Sequence, residues 1–126
     1  MTTENPLYLG EKEYEIIELL QSLEVSRTEA TAITCLLCQQ ELTSQAMERA
    51  SGLRQPEVSV AMRPLRERGW IQERSEKKTN EKGRPLKYYR LTVPFMHIVE
   101  TFEEEFLVRT NEVIEAIARL RELRQR

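Results

Sequence analysis

Apolar positions recur at spacings of three and four along the first two thirds of the chain. In "EKEYEIIELLQSL", residues 11–23, Ile16, Ile17, Leu19, Leu20 and Leu23 form one stripe, which predicts an amphipathic helix. Ser26 and Glu29 in "SRTE" have capping-box spacing, so a second helix is expected from Arg27 to about Gln40, with Ala30, Ile33, Leu36 and Leu37 inward. Thr43 is a suitable N-cap for a short third helix that ends near Gly52, where glycine suits a left-handed residue. Leu53, Arg54 and Gln55 then form a turn, and Pro56 is expected at the first position of a fourth helix ending near Gly69. On that helix Val58, Ala61, Met62 and Leu65 fall inward, while Pro56, Val60, Arg63 and Glu67 point out. Pro64 removes one backbone bond in mid-helix, and its outward angle predicts a small kink rather than a break.

The period then changes. Trp70, Ile71 and the alternating run from Leu86 to Val93 read as two strands. The charged, turn-rich "SEKKTNEKGRP" joins them into a hairpin shaped by Gly83 and Pro85. From Pro94 onward there is no further Pro or Gly, and one long helix is expected. Val99, Phe102, Phe106, Arg109, Val113, Ala116, Leu120 and Leu123 alternate steps of three and four, a heptad seam with one polar break. Ile98, Ile114 and Ile117 widen it. The expected fold is mainly α with a small β-hairpin. Residues 1–93 form one domain, with the hairpin at about 70–93, and residues 94–126 form a separate helix.

Helix, glycine-containing turn, helix is the signature of a helix-turn-helix, and a hairpin directly after the second helix is a wing. The whole-chain charge of −2 and pI near 5.6 do not suggest a nucleic-acid binder. The distribution does. Residues 1–42 carry a balance of −6, residues 43–92 of +6, and residues 93–126 of −2. The basic excess therefore sits on the helix-turn-helix and wing. Arg54, Gln55, Ser59 and Arg63 at the start of the fourth helix have the chemistry of a major-groove reader, since Arg bonds guanine bidentately and Gln bonds adenine. Lys77, Lys78, Lys82 and Arg84 at the hairpin tip suit phosphates or the minor groove.

"LTSQAMERASGLRQPEVSVAMRPLRERGW" and "KGRPLKYYRLT" carry a family likeness. Across residues 26–92 the chain resembles winged-helix transcriptional regulators of archaea and bacteria, near the TrmB-, MarR- and ArsR-like families. The resemblance implies a homodimer on double-stranded DNA. By position it makes Arg54, Gln55, Pro56, Ser59 and Arg63 recognition contacts and Arg84 a wing contact. Thr43, Ser44, Lys82 and Lys87 complete the expected DNA-facing set. Pro64 departs from the pattern, and no sugar-binding domain follows the wing, so a sugar effector is not inherited. The long last helix stands in its place. A lone helix cannot bury such a stripe, so dimerisation is expected through Val99, Phe102, Phe106, Val113, Ile117 and Leu120, parallel or antiparallel, with folding back on its own domain as the alternative.

Other chemistry is sparse. Cys35 and Cys38 have Cys-x-x-Cys spacing, but on an apolar helix they read as small core residues. A zinc site would have only His97 to complete it, and a thiol switch would need accessible thiolates. There is no Asp, one His and no glycine-rich phosphate loop, so neither an enzyme nor a cofactor is expected. The chain start lacks a signal-peptide pattern and no apolar run is of membrane length, which leads to an expected cytoplasmic location. Winged helices also serve as protein-interaction adaptors. The basic centre favours DNA over that alternative.

Overall fold

The computed structural model of the chain describes residues 7–76 and 86–125. The chain divides at the Val93–Pro94 junction into two compact units.

In the first unit, helices α1 (Glu11–Ser22) and α2 (Arg27–Cys38) lead into a two-residue strand β1 (Leu42–Thr43). Helices α3 (Ser44–Ser51) and α4 (Gln55–Glu67) follow, then strands β2 (Ile71–Glu76) and β3 (Leu86–Leu91). Local chemistry sets most of these boundaries. The Ser26 hydroxyl accepts the Glu29 N–H at 3.2 Å and donates to the Glu29 carboxylate at 3.1 Å, which starts α2. Gly52 (φ 80°) ends α3 and Gly69 (φ 77°) follows α4. Neither glycine would meet a neighbour if it carried a Cβ, so it is the left-handed backbone alone that favours glycine there.

Two helix boundaries differ from expectation, and the expected hairpin gains a third strand. Helix α2 ends at Cys38, two residues before Gln40, because Gln39 is already extended and carries the chain into β1. Helix α4 starts at Gln55, so Pro56 occupies the second helical position rather than the first. The hairpin is part of a three-stranded antiparallel sheet of order β1-β3-β2. Leu42 pairs with Tyr89 and Thr43 with Tyr88, while β2 pairs with β3 from Ile71↔Leu91 to Glu76↔Leu86. Strand β3 is therefore central, and β1 covers the edge a simple hairpin would leave open.

The core gathers residues from every layer of this unit. Helix α2 lies at its centre, with all seven residues from Ala30 to Leu36 buried. The Thr34 hydroxyl within that run donates to the Ala30 carbonyl at 2.8 Å. Ile17 and Leu20 of α1, Met47 of α3, and Val58, Ala61, Met62 and Leu65 of α4 complete the helical part. Leu19, expected inward, is 59% exposed, so only two positions of the α1 stripe are fully covered. Trp70, Ile71 and Tyr89 bring the sheet into the core. Pro64 is half-buried and α4 runs through it, with the Arg68 N–H reaching the Pro64 carbonyl at 3.0 Å.

The second unit contains α5 (Phe95–Arg124), a 30-residue helix with Pro94 as its N-cap. No helix among the described residues is long and apolar enough to cross a membrane.

Candidate nucleic-acid interface

The start of α4 is built by its own sequence. Arg54 is extended (ψ 161°), and its N–H donates to the Glu57 carboxylate at 2.9 Å, so Glu57 closes the helix entry. That leaves the Arg54 side chain outside the cap. Arg54, Gln55, Pro56, Ser59 and Arg63 are all exposed, opposite the buried row of Val58, Ala61, Met62 and Leu65. The two rows follow from the 3.6-residue period, with the apolar row fixing which way the polar row faces.

Electrostatics sort the basic residues of this region into two groups. Arg66 pairs with Glu73 at 2.9 Å, and Lys87 reaches the same carboxylate at 3.6 Å. Arg74 pairs with Glu41 and Glu76. The Arg68 guanidinium lies over the Trp70 ring, 4.6 Å from its centroid, and Arg90 donates to the Gln72 amide. Arg66 ties α4 to β2, while Arg74, Lys87 and Arg90 make their contacts within the sheet and to Glu41 before it. Among the described residues, Arg49, Arg54 and Arg63 have no carboxylate within ion-pair distance, so their charge is directed to solvent.

Arg49 was not among the residues expected to face DNA. It lies in the last turn of α3, beside an open depression of about 560 Å³ lined also by Gln45, Glu48, Leu53, Arg54 and Gln55. The i,i+4 spacing of Gln45 and Arg49 is the one sequence signal that marks them as neighbours on this face. Thr43 and Ser44 are half-buried at the start of α3, and the Thr43 hydroxyl accepts the Ala46 N–H at 3.0 Å. Thr43 is thus engaged in capping its own helix. Lys87 is exposed and paired with Glu73, while Lys82, Arg84 and the tip lysines Lys77 and Lys78 lie outside the described residues.

The cysteines do not form a chemical site. Cys35 is buried, which pushes its thiol up to about 12, with Cys38 adding to the shift. Cys38 is exposed, yet partial burial and the nearby Glu13 also raise its thiol, and its Sγ donates to the Thr34 carbonyl at 3.3 Å. Both shifts disfavour the thiolate. No group of three or more potential metal ligands occurs among the described residues.

On α5, Ile98 and Phe102 are buried and Val99 is half-buried. Phe106 (39% exposed), Val113, Ile117 and Leu120 (66% exposed) lie open. The uncovered part of the expected seam therefore begins at Phe106.

A helix-turn-helix whose second helix presents a polar row, followed by a strand pair closed by β1, defines a winged-helix protein. The chain belongs to the TrmB family, described as "Sugar-specific transcriptional regulator TrmB", which it matches over residues 20–94. No curated protein matches it by sequence. Solved structures with this fold include the following. The chain is similar to TrmBL2, an archaeal chromatin protein described as showing a novel mode of DNA binding (24% identity, TM-score 0.62). That likeness covers 88% of this chain but only 40% of the chromatin protein. A possible transcriptional regulator from Methanosarcina mazei Go1 is 12% identical with a TM-score of 0.57, covering 81% of this chain and 86% of that one. A MepR variant from a multidrug-resistant S. aureus clinical isolate is 20% identical with a TM-score of 0.52, covering 83% and 74% respectively.

Proposed function

We propose that this regulator binds specific duplex DNA as a homodimer, with α4 in the major groove and the wing along phosphates. The observation that carries the reading is the exposed row of Arg54, Gln55, Ser59 and Arg63. Its two arginines have no carboxylate partner among the described residues, while the neighbouring Arg66, Arg74 and Lys87 do. An unpaired guanidinium reaches a base or phosphate without first breaking an internal ion pair. Arg49 extends the same cationic edge from α3. The open stripe on α5 supplies a surface for a second copy, and two heads address two half-sites.

The test is selection of bound sequences from a random duplex pool by the whole chain, followed by binding to the selected and scrambled sites. A specific regulator enriches a two-fold-related motif and prefers it by about 10³-fold or more. Enrichment of no motif, with equal affinity for both duplexes, would leave a sequence-independent DNA coat.

A further inference from the structure

The open stripe of α5 is accompanied by charges that are not evenly placed. Glu103, Glu104 and Glu105 lie toward its start, Glu112 near its middle, and Arg119, Arg121 and Arg124 near its end. We infer that two copies of the chain pair through α5 in antiparallel orientation, in the register that sets Phe106 against Leu123 of the second copy. This rests on the homodimer reading and adds a direction to it.

Burial sets the register. Ile98 and Phe102 are buried, and the exposed part of the stripe runs from Phe106 to Leu123. Pairing the open segment with its own reverse places Phe106 opposite Leu123 of the second copy, and Val113 opposite Ala116. Each such layer occurs twice by symmetry. Arg109 then meets Leu120 of the second copy, so its guanidinium leaves along the rim while its stem packs.

Charge sets the direction. In an antiparallel pair, like flanking positions of the heptad face each other. In this register they bring Glu112 to Arg119 of the second copy and Glu103 to Arg124 of the second copy, both of opposite sign and both doubled by symmetry. Arg119 also bonds Glu122 within its own helix, but five N–H donors leave a guanidinium able to serve two carboxylates. The parallel alternative does the reverse. It stacks Arg109 on Arg109 inside the seam and brings Arg119 to Arg124 of the second copy. Like charges held together across an interface favour the other arrangement.

Light scattering of the native chain, with Glu112→Arg, Arg119→Glu and their double variant, tests this. The altered positions are exposed on one helix, and circular dichroism checks that each variant stays folded. Each single variant alone should dimerise at least tenfold more weakly. The double variant should recover, and the two single variants should pair when mixed. In a Cys38→Ser background, a Phe106→Cys chain should crosslink to a Leu123→Cys chain but not to itself, since the two copies of position 106 lie about 25 Å apart along the pair. Self-crosslinking of Phe106→Cys without recovery in the double variant would overturn the direction while leaving a dimer. A dimer indifferent to every charge change would place its interface elsewhere and overturn the inference. A native monomer would overturn the homodimer reading as well.

Discussion

Arg74 grips Glu41 with two nitrogens, Nε to Oε2 at 2.8 Å and Nη2 to Oε1 at 2.9 Å. The two residues are 33 positions apart. The fork joins the approach to β1 to the outer strand β2, across β3 between them. The same guanidinium lies over the Tyr88 ring, 4.2 Å from its centroid, so one side chain ties all three strands. Planar, bidentate pairing is a geometry that lysine cannot reproduce.

Glu41→Gln should loosen the strand order locally with little effect on global stability, because the pair is solvent-accessible. Amide exchange in β1 and β3 should accelerate while α2 and α4 keep their protection. The Arg74 hydrogen bond holds the Glu41 carboxyl below the usual glutamate range. A lowered folded value means that the pair's contribution is complete above the ordinary glutamate range and is lost as pH falls through the folded value. Acid should therefore mimic Glu41→Gln in the same amides, and in the variant that pH dependence should vanish.

Arg63→Ala should cost about 1 to 3 kcal/mol on the preferred duplex and relax base choice at one position. The side chain is exposed and leaves no buried partner behind, so the melting temperature should hardly move. Equal losses on cognate and scrambled duplexes would reduce Arg63 to a phosphate contact.

Salt titration separates the wing from its root. Neutralising Lys82 and Arg84 together should flatten the log–log salt slope by up to about 2 if both touch phosphate. Lys87→Ala should flatten it less than either one alone, because its ammonium is held 3.6 Å from the Glu73 carboxylate. A full unit lost at Lys87 would mean that it leaves Glu73 for DNA.

Phe106→Glu puts a charge at the mouth of the open stripe on α5. Each large apolar side chain that pairing buries contributes roughly 1.5 to 3 kcal/mol, and a buried unpaired carboxylate opposes it. The variant should be monomeric by light scattering and lose most of its operator affinity, with an unchanged circular dichroism spectrum. A variant that stays dimeric would remove α5 from the interface.

Peroxide should leave DNA binding unaltered. Both thiols are shifted away from the thiolate, Cys35 by its burial and Cys38 by partial burial and Glu13. Thiol labelling at neutral pH should be slow at Cys38 and absent at Cys35 until the chain unfolds. Fast oxidation coupled to release of DNA would revive a redox switch.

Elements whose causes are local were legible in the chain. Helix starts at Ser26, Thr43 and Pro94, and left-handed turns at Gly52 and Gly69, depend on groups within four residues of one another. The buried row of α4 was legible for the same reason, and with it the outward row that carries the proposed DNA contacts. Long-range packing set the others. Strand β1 is two residues long, too short for any period to mark, and exists because Tyr88 and Tyr89 arrive from more than 40 residues away to pair with it. That pairing also draws the chain out of α2 at Cys38. The basic segment was visible as a charge balance, but which cations stay available is a matter of distance. Glu73 lies beside both Arg66 and Lys87, and Glu41 beside Arg74, only once the sheet has formed. Ion pairing falls off over a few ångströms, and the sequence does not measure ångströms between residues 33 apart.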